Sequence, residues 1–289
     1  MMQLEGKLEI SRACELAQVS RAGFYREYAE HEPLQAEMAL RDVIQRIVID
    51  NRVYGYRRVG AELEKQGWVV NHKRVLRIMR EDNLLCLRKR RFVLTTDSRH
   101  PYGVYPNLAQ DLKLTRIDQL WVADITYIRL REQFVYLAVI LDAFSRKALG
   151  WALEETLEAS LALTALERAL AERAVAPGIM HHSDRGVQYA SKEYVEKLLD
   201  HGFLISMSRA GCPWENARAE SFMKTLKTEE VYLREYRDRE EARQAIAHFL
   251  HDVYNGKRLH SGLGYLCPDE FESRLGSAGQ AEGQGETSL

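Results

Sequence analysis

Three acidic side chains sit where only chemistry or a specific partner would justify them. Asp124 lies inside the apolar run "WVADITYI", a strand-like context in which a carboxylate is costly unless it is paired. Asp184 ends the apolar stretch "GIMHHSD", and Glu220 falls within the helix-forming stretch "ENARAESFMKTLK". Three carboxylates gathered in one place repel one another, and cations relieve that repulsion. Hard divalent ions with oxygen ligands, Mg²⁺ or Mn²⁺, do this while keeping positions for water and phosphate oxygens, and a pair of them suits phosphoryl transfer. Taken singly, each acid has an equally good ordinary explanation: Asp184 capping the "SDRG" turn, Glu220 facing solvent, Asp124 in a salt bridge.

Glu220 shares a helix face with other polar groups. Asn216, Glu220, Lys224 and Lys227 follow at spacings of four, four and three and so line one side, with Pro213 ahead of the first turn and Glu215 and Asn216 at the cap. His182, beside Asp184, either orients a water or phosphate or is a packed, hydrogen-bonded histidine, and its neighbour His181 has no assigned role.

The elements that would position these acids begin near residue 118. Runs over 119–130, 133–145 and 147–155 are rich in β-formers and separated by short polar turns, which reads as an antiparallel meander. A helix over 159–174, a strand over 178–184, a helix over 191–202 and a strand over 203–208 follow by periodicity. With the Glu220 helix this β-β-β-α-β-α-β-α order predicts an α/β fold, a mixed sheet flanked by helices. If the first and fourth strands are neighbours, Asp124 and Asp184 meet, and Glu220 approaches from a helix packed on the sheet.

The N-terminal third has a different character. Residues 51–92 carry 12 Lys and Arg against 4 acids, which suggests a polyanionic partner. "ISRACELAQVSRAGFYREY" is shaped like a helix-turn-helix, with Ser11 and Ser20 as caps. A second helical pair follows, closing its first helix at Gly67 and capping the next with Asn71; that second helix repeats Arg74, Arg77 and Arg80 opposite an apolar stripe. These arginines, with Arg88, Lys89 and Arg90, either contact nucleic acid or form a solvated face, and the density of bases favours nucleic acid. The expected organisation is a helix-turn-helix-like DNA-binding region over 1–95, a linker over 96–117, a catalytic core over 118–275 and a flexible small-residue tail over 276–289.

Composition excludes several classes. The 289 residues are 46% hydrophobic and 29% charged, as expected of a chain with a real core, and no apolar run is long enough for a membrane span or a signal peptide core. Cys14, Cys86, Cys212 and Cys267 show no CxxC or Cys/His pairing, which argues against a zinc finger and for reduced thiols in the cytoplasm.

Four blocks, "WVADITYI" at 121–128, "HSDRGVQY" at 182–189, "ENARAESFMKTLK" at 215–227 and "YNGKRLHSGLGYLCPDEFE" at 254–272, resemble the integrase core of bacterial insertion-sequence transposases, OrfB type, of the insertion-sequence-three family. Thirty-five residues separate Asp184 from Glu220, the spacing of that family's D,D-35-E signature, and the resemblance extends over nearly the whole chain. It departs at Glu215, where relatives carry Asp, and in the "GCPW" turn. The resemblance implies an RNase H-like fold, two divalent ions and a catalytic, metal-holding triad of Asp124, Asp184 and Glu220. It implies cleavage and joining of double-stranded DNA at terminal inverted repeats and target DNA by a homo-oligomer, alone or with an upstream OrfA-type helix-turn-helix protein. Lys224 and Lys227 would then hold DNA by its phosphates or serve helix solubility, and Asn216 would touch DNA or brace Glu220. Tyr254, Asn255, Arg258 and His260 would shape the end of the core or touch DNA. A DNA-binding regulator would account for the basic region but not for Asp124; a ribonuclease-H-type nuclease would hydrolyse without joining.

Overall fold

A computed structural model describes residues 11, 14, 15, 20, 21, 35–85, 103–209 and 212–283. The helical pair expected after Ser11 lies mostly outside these residues, as do Arg88, Lys89 and Arg90.

The helical region contains α1 (Gln35–Asp50), α2 (Tyr56–Lys65) and α3 (His72–Glu81). The chain leaves α2 through Gly67 at φ +83°, a left-handed turn suited to glycine, and Asn71 caps α3 by accepting the Lys73 N–H at 2.8 Å. Leu40, Ile44, Ile47, Val59, Leu63, Val75, Ile78 and Met79 close a small core between the three helices.

The second unit is built on a five-stranded sheet of β1 (Leu120–Arg129), β2 (Phe134–Asp142), β3 (Ala148–Glu154), β4 (Met180–Ser183) and β5 (Leu204–Met207), in the order β3-β2-β1-β4-β5. The first three strands pair antiparallel as a meander, while β4 joins β1 in parallel and β5 joins β4 in parallel. Both faces are covered. On one, α4 (Ala159–Glu172), α5 (Val187–Ala190) and α6 (Lys192–Asp200) pack over Trp121, Ala123, Ala138 and Ile140. On the other, α7 (Ala217–Glu229), α8 (Arg239–His248) and a π-helical segment, Phe249–Asn255, pack over Leu120, Val122, Leu137 and Val139. Burial on both faces explains why β2 reads as a continuous apolar run rather than an alternation. The packing is tight at Gly150, where an added Cβ would stand 2.2 Å from the Ala165 carbonyl oxygen, so only glycine lets α4 lie on β3.

Two segments depart from the sequence expectation. The described part of the linker, 103–117, lies on the core: Leu112 and Leu114 pack against one apolar cluster, and the Leu108 N–H donates to Ser206 Oγ at 2.9 Å. The helix α9 (Pro268–Gly283), opened by proline at its first position, continues through half of the expected tail, whose Ala278, Gln280, Ala281 and Glu282 are good helix formers. Among the described residues no helix is long and apolar enough to cross a membrane.

Candidate active site

The site follows from strand register. Trp121 of β1 lies opposite His181 of β4, and Val122 opposite His182. Asp124 follows this paired stretch by two residues, and Asp184 follows Ser183, the last residue of β4, so both acids lie just past the same end of the β1–β4 pairing. Alternation puts Asp124 on the same sheet face as Leu120, Val122 and Ile128, the face on which Ala219, Phe222, Met223 and Leu226 of α7 pack. Glu220 is exposed in the first turn of that helix.

The electrostatics bear the mark of this crowding. Burial pushes the Asp124 carboxyl up to about 8, and the negative charges of Asp184 and, more weakly, Glu220 push in the same direction. The Ile125 N–H donating to Asp124 Oδ1 at 2.9 Å and the Lys227 ammonium oppose the shift. Glu220, though its side chain is exposed, is also raised by partial desolvation. Asp184 does cap the following turn, its Oδ1 accepting the Gly186 N–H at 2.9 Å, while Arg185 Nε donates to the Ser208 carbonyl at 2.8 Å and fixes the turn against β5. Asp184 thus has the turn-forming role that its ordinary explanation called for.

The donor set suits hard divalent ions: three carboxylates, one of them destabilised as an anion by burial and by its neighbours. Among the described residues no three His, Cys, Asp or Glu side chains stand close enough together to hold a metal ion, so Asp124, Asp184 and Glu220 are not drawn into a ligand set in this structure. Tyr189 adds a polar group that the sequence reading did not single out. Its ring is buried against His181 and Tyr194, its hydroxyl has no hydrogen-bond partner, and the charges of Asp124 and Asp184 help push that hydroxyl well above the usual phenol range after burial itself. A tyrosine in a short apolar turn carries no sequence signal of its own. Asp142 is a fourth sheet acid, but it is consumed by the β2–β3 turn, accepting backbone N–H groups from Asp118, Phe144 and Ser145 at 2.6–2.8 Å.

The remaining expected residues divide between surface and scaffold. Lys224 is exposed. Lys227 is half-buried, its ammonium 4.6 Å over the Tyr127 ring and attracted by Asp124. Asn216 is buried and donates Nδ2 to the Ala123 carbonyl at 3.0 Å; it braces β1 against the start of α7 and offers DNA no surface. Glu215 does not cap α7 but closes the preceding turn on the Arg209 N–H at 2.7 Å, and Pro213–Asn216 form a 3₁₀ turn. His182 is a packed histidine, with Nδ1 2.8 Å from Ser206 Oγ and Nε2 3.0 Å from Ser208 Oγ, and burial lowers it to about 4. Tyr254, Asn255, Arg258 and His260 are all buried, which makes them scaffold: Asn255 both accepts from and donates to the Ala148 backbone at 2.9 Å. On α3, Arg77 pairs with Glu37 and Glu81, Arg74 stands 3.9 Å from Glu37, and Arg80 is exposed. Part of the arginine stripe thus ties α3 to α1.

Comparison with known proteins points the same way. Residues 115–213 and 201–268 match models of the "Integrase core domain", and residues 35–92 match the "HTH-like domain". The insertion element IS600 uncharacterized 31 kDa protein of Shigella sonnei is 37% identical over 266 residues, covering 90% of this chain and 97% of that protein. The transposase InsF for insertion sequence IS3A of Escherichia coli (strain K12) is 32% identical over 276 residues, covering 93% and 96%. Among solved structures, the HTLV-2 integrase catalytic core domain in complex with magnesium is 17% identical, with a TM-score of 0.40, covering 54% of this chain and 96% of that one.

Proposed function

Because this chain belongs to the IS3-type, OrfB transposases, DDE-type polynucleotidyl transferases with an integrase core and an HTH-like domain, we propose that it binds the terminal repeats of its element through the helical region and cleaves and joins DNA at Asp124, Asp184 and Glu220. The observation that carries this reading is the parallel pairing of β1, which bears Asp124, with β4, whose end leads into Asp184, on a sheet face covered by the helix that bears Glu220.

Asp124, Asp184 and Glu220 would hold two divalent cations, Mg²⁺ or Mn²⁺, which when bound supply Lewis-acid stabilisation to the attacking and leaving phosphate oxygens. Asp184 is fixed by its own turn, Asp124 by its strand, and Glu220, on the exposed first turn of α7, completes the set from the other side. Lys227 offsets part of the negative charge around Asp124, and Lys224, one turn past Glu220, is available to a DNA phosphate. Water cuts the element's end, and the freed 3′-hydroxyl then displaces a target phosphodiester in line. Hydrolysis replaces the phosphorus bond to the element's 3′-oxygen with one to water, leaving a 3′-hydroxyl and a 5′-phosphate, and joining replaces one phosphodiester with another as the target 3′-hydroxyl leaves, so no ATP is required.

On the helical region, Arg80 and Arg74, with Arg88, Lys89 and Arg90, would contact DNA, Arg77 less so because two carboxylates engage it. Joining two ends requires a homo-oligomer on DNA, and an OrfA-type partner, nucleoid association in the cytoplasm and the division at 95, 117 and 275 belong to the same proposal. The test is strand transfer: purified protein, a labelled duplex carrying the element's terminal repeat, and Mg²⁺ or Mn²⁺ against EDTA. Metal-dependent joined products, lost in Asp184→Asn, are expected; nicking without joining would indicate a nuclease, and binding with neither a regulator.

A further inference from the structure

The helix that carries Glu220 ends at Glu229, and Glu229 is held from two directions. Arg258, in the segment after the π-helix, grips it with Nε and Nη2 at 2.7 and 2.8 Å, a two-pronged, charge-assisted pair with both side chains nearly buried. Arg58, on α2 of the helical region, brings Nη1 to 3.9 Å from the same carboxylate. Both cations also suit the negative end of the α7 dipole.

The next residue, Leu259, ties this clamp to the helical region. Its side chain is buried among α1, α2 and α3 residues, its N–H donates to the Tyr54 hydroxyl at 3.0 Å, and its carbonyl accepts from Arg58 Nε at 3.0 Å. Arg58 therefore reaches the core twice, once at the Leu259 backbone and once at Glu229. From Glu229 a straight α-helix runs nine residues, roughly 14 Å, back to Glu220. The Arg258–Glu229 pair has little room to slip, since the two side chains expose only 6% and 11%, and Arg58, 23% exposed, meets it from the helical region.

We propose that Glu229 is a positioning residue through which the helical region, on engaging DNA, sets the register of α7 and hence of Glu220, with Arg58 as the input and Arg258 as the fixed point. This rests on the reading of the helical region as DNA-binding. The device differs from the triad in kind, since neither Arg58 nor Glu229 touches the reacting atoms.

The experiment compares the full-length chain with Arg58→Gln, Arg58→Lys and Glu229→Gln, measuring terminal-repeat binding, joining at saturating DNA, and amide hydrogen exchange over residues 217–229 with and without DNA. Arg58→Gln is the main variant because it leaves the buried Arg258–Glu229 pair intact, whereas Glu229→Gln strands a buried guanidinium and risks misfolding. Expected for Arg58→Gln are half-saturating DNA within about twofold of the unaltered chain, joining at saturation down about tenfold, and loss of the DNA-induced protection of 217–229; Arg58→Lys, which keeps the charge, restores both to within about threefold. Undiminished protection and rate in Arg58→Gln would overturn the proposal, as would a raised half-saturation with unchanged maximal rate, which would make Arg58 a plain DNA contact. Protection by DNA in a chain that never joins strands would sink the transposition chemistry but uphold the relay; failure of the unaltered chain to bind DNA would overturn both.

Discussion

Asn216 donates its side-chain N–H to the carbonyl oxygen of Ala123 at 3.0 Å, so the turn that opens the Glu220 helix is tied to the strand one residue before Asp124. The bond ties together the elements that carry two of the proposed catalytic acids, which are far apart in sequence. Asn216→Ala should cost about 1–3 kcal/mol, because it leaves a buried carbonyl unpaired, and should slow joining more than it weakens DNA binding. Urea unfolding and the rate at saturating DNA check this; a normal rate in a destabilised protein would reduce Asn216 to scaffold.

Asp124→Asn, Asp184→Asn and Glu220→Gln should each lower cleavage and joining by about a thousandfold or more while DNA is still bound, as expected for groups that act as a unit. In metal-free buffer Asp124→Asn should melt no lower than the unaltered protein, since it removes a charge that burial and neighbouring acids oppose. An active Glu220→Gln protein would end the triad assignment.

Tyr189→Phe deletes a buried hydroxyl that has no partner. The change should be neutral or stabilising by up to about 1 kcal/mol, unlike most removals of a tyrosine hydroxyl. If the hydroxyl serves the carboxylates once DNA and metal are bound, joining falls about tenfold at unchanged stability. Full activity would mark it as a packing remnant.

Lys224→Ala should leave the melting temperature unchanged, raise the half-saturating DNA concentration several-fold and reduce the slope of log affinity against log salt by about 1, the signature of one lost phosphate contact. Affinity titrations at several salt concentrations read this directly, and an unaltered slope would count against the contact.

Buried histidines should make the fold acid-sensitive. Burial lowers His181 to about 3 and His260 to about 2, so both are neutral in the folded chain, whereas in the unfolded chain they titrate near 6.5. Above pH 6.5 their contribution is complete; as pH falls below it the unfolded chain takes up protons the folded one refuses, and stability is lost progressively toward the folded values. At pH 5 this amounts to about 2 kcal/mol per histidine. The stability lost between pH 7.5 and 5 should be smaller by about that amount in His181→Phe, and equal losses in the two proteins would refute the assignment.

Much of this protein is legible in one dimension because its signals are local. The β-rich runs over 119–155, the caps at Asn71 and Gly67 and the helical period of 159–174 depend on neighbouring residues alone, and β1 to β3 and α2 to α4 appear where those signals lie. Asp124 also announced itself locally, as an acid in an apolar strand. The 35-residue interval from Asp184 to Glu220 pointed to a triad only through its resemblance to a family.

What the sequence could not decide were contacts between distant segments, where residue type alone leaves several partners open. Asn216 as a brace rather than a cap, Lys227 over Tyr127, the linker bonded to Ser206, and Arg58 meeting Glu229 all depend on which surfaces tertiary packing brings within 3–5 Å. Residue types and spacing determined the order of elements, the basic character of the N-terminal third and Asp124 as an acid out of place in an apolar strand. Only the folded structure decided which polar groups are consumed as scaffold, because the cost of an unpaired buried donor or charge is set by its final surroundings and not by its neighbours in the chain.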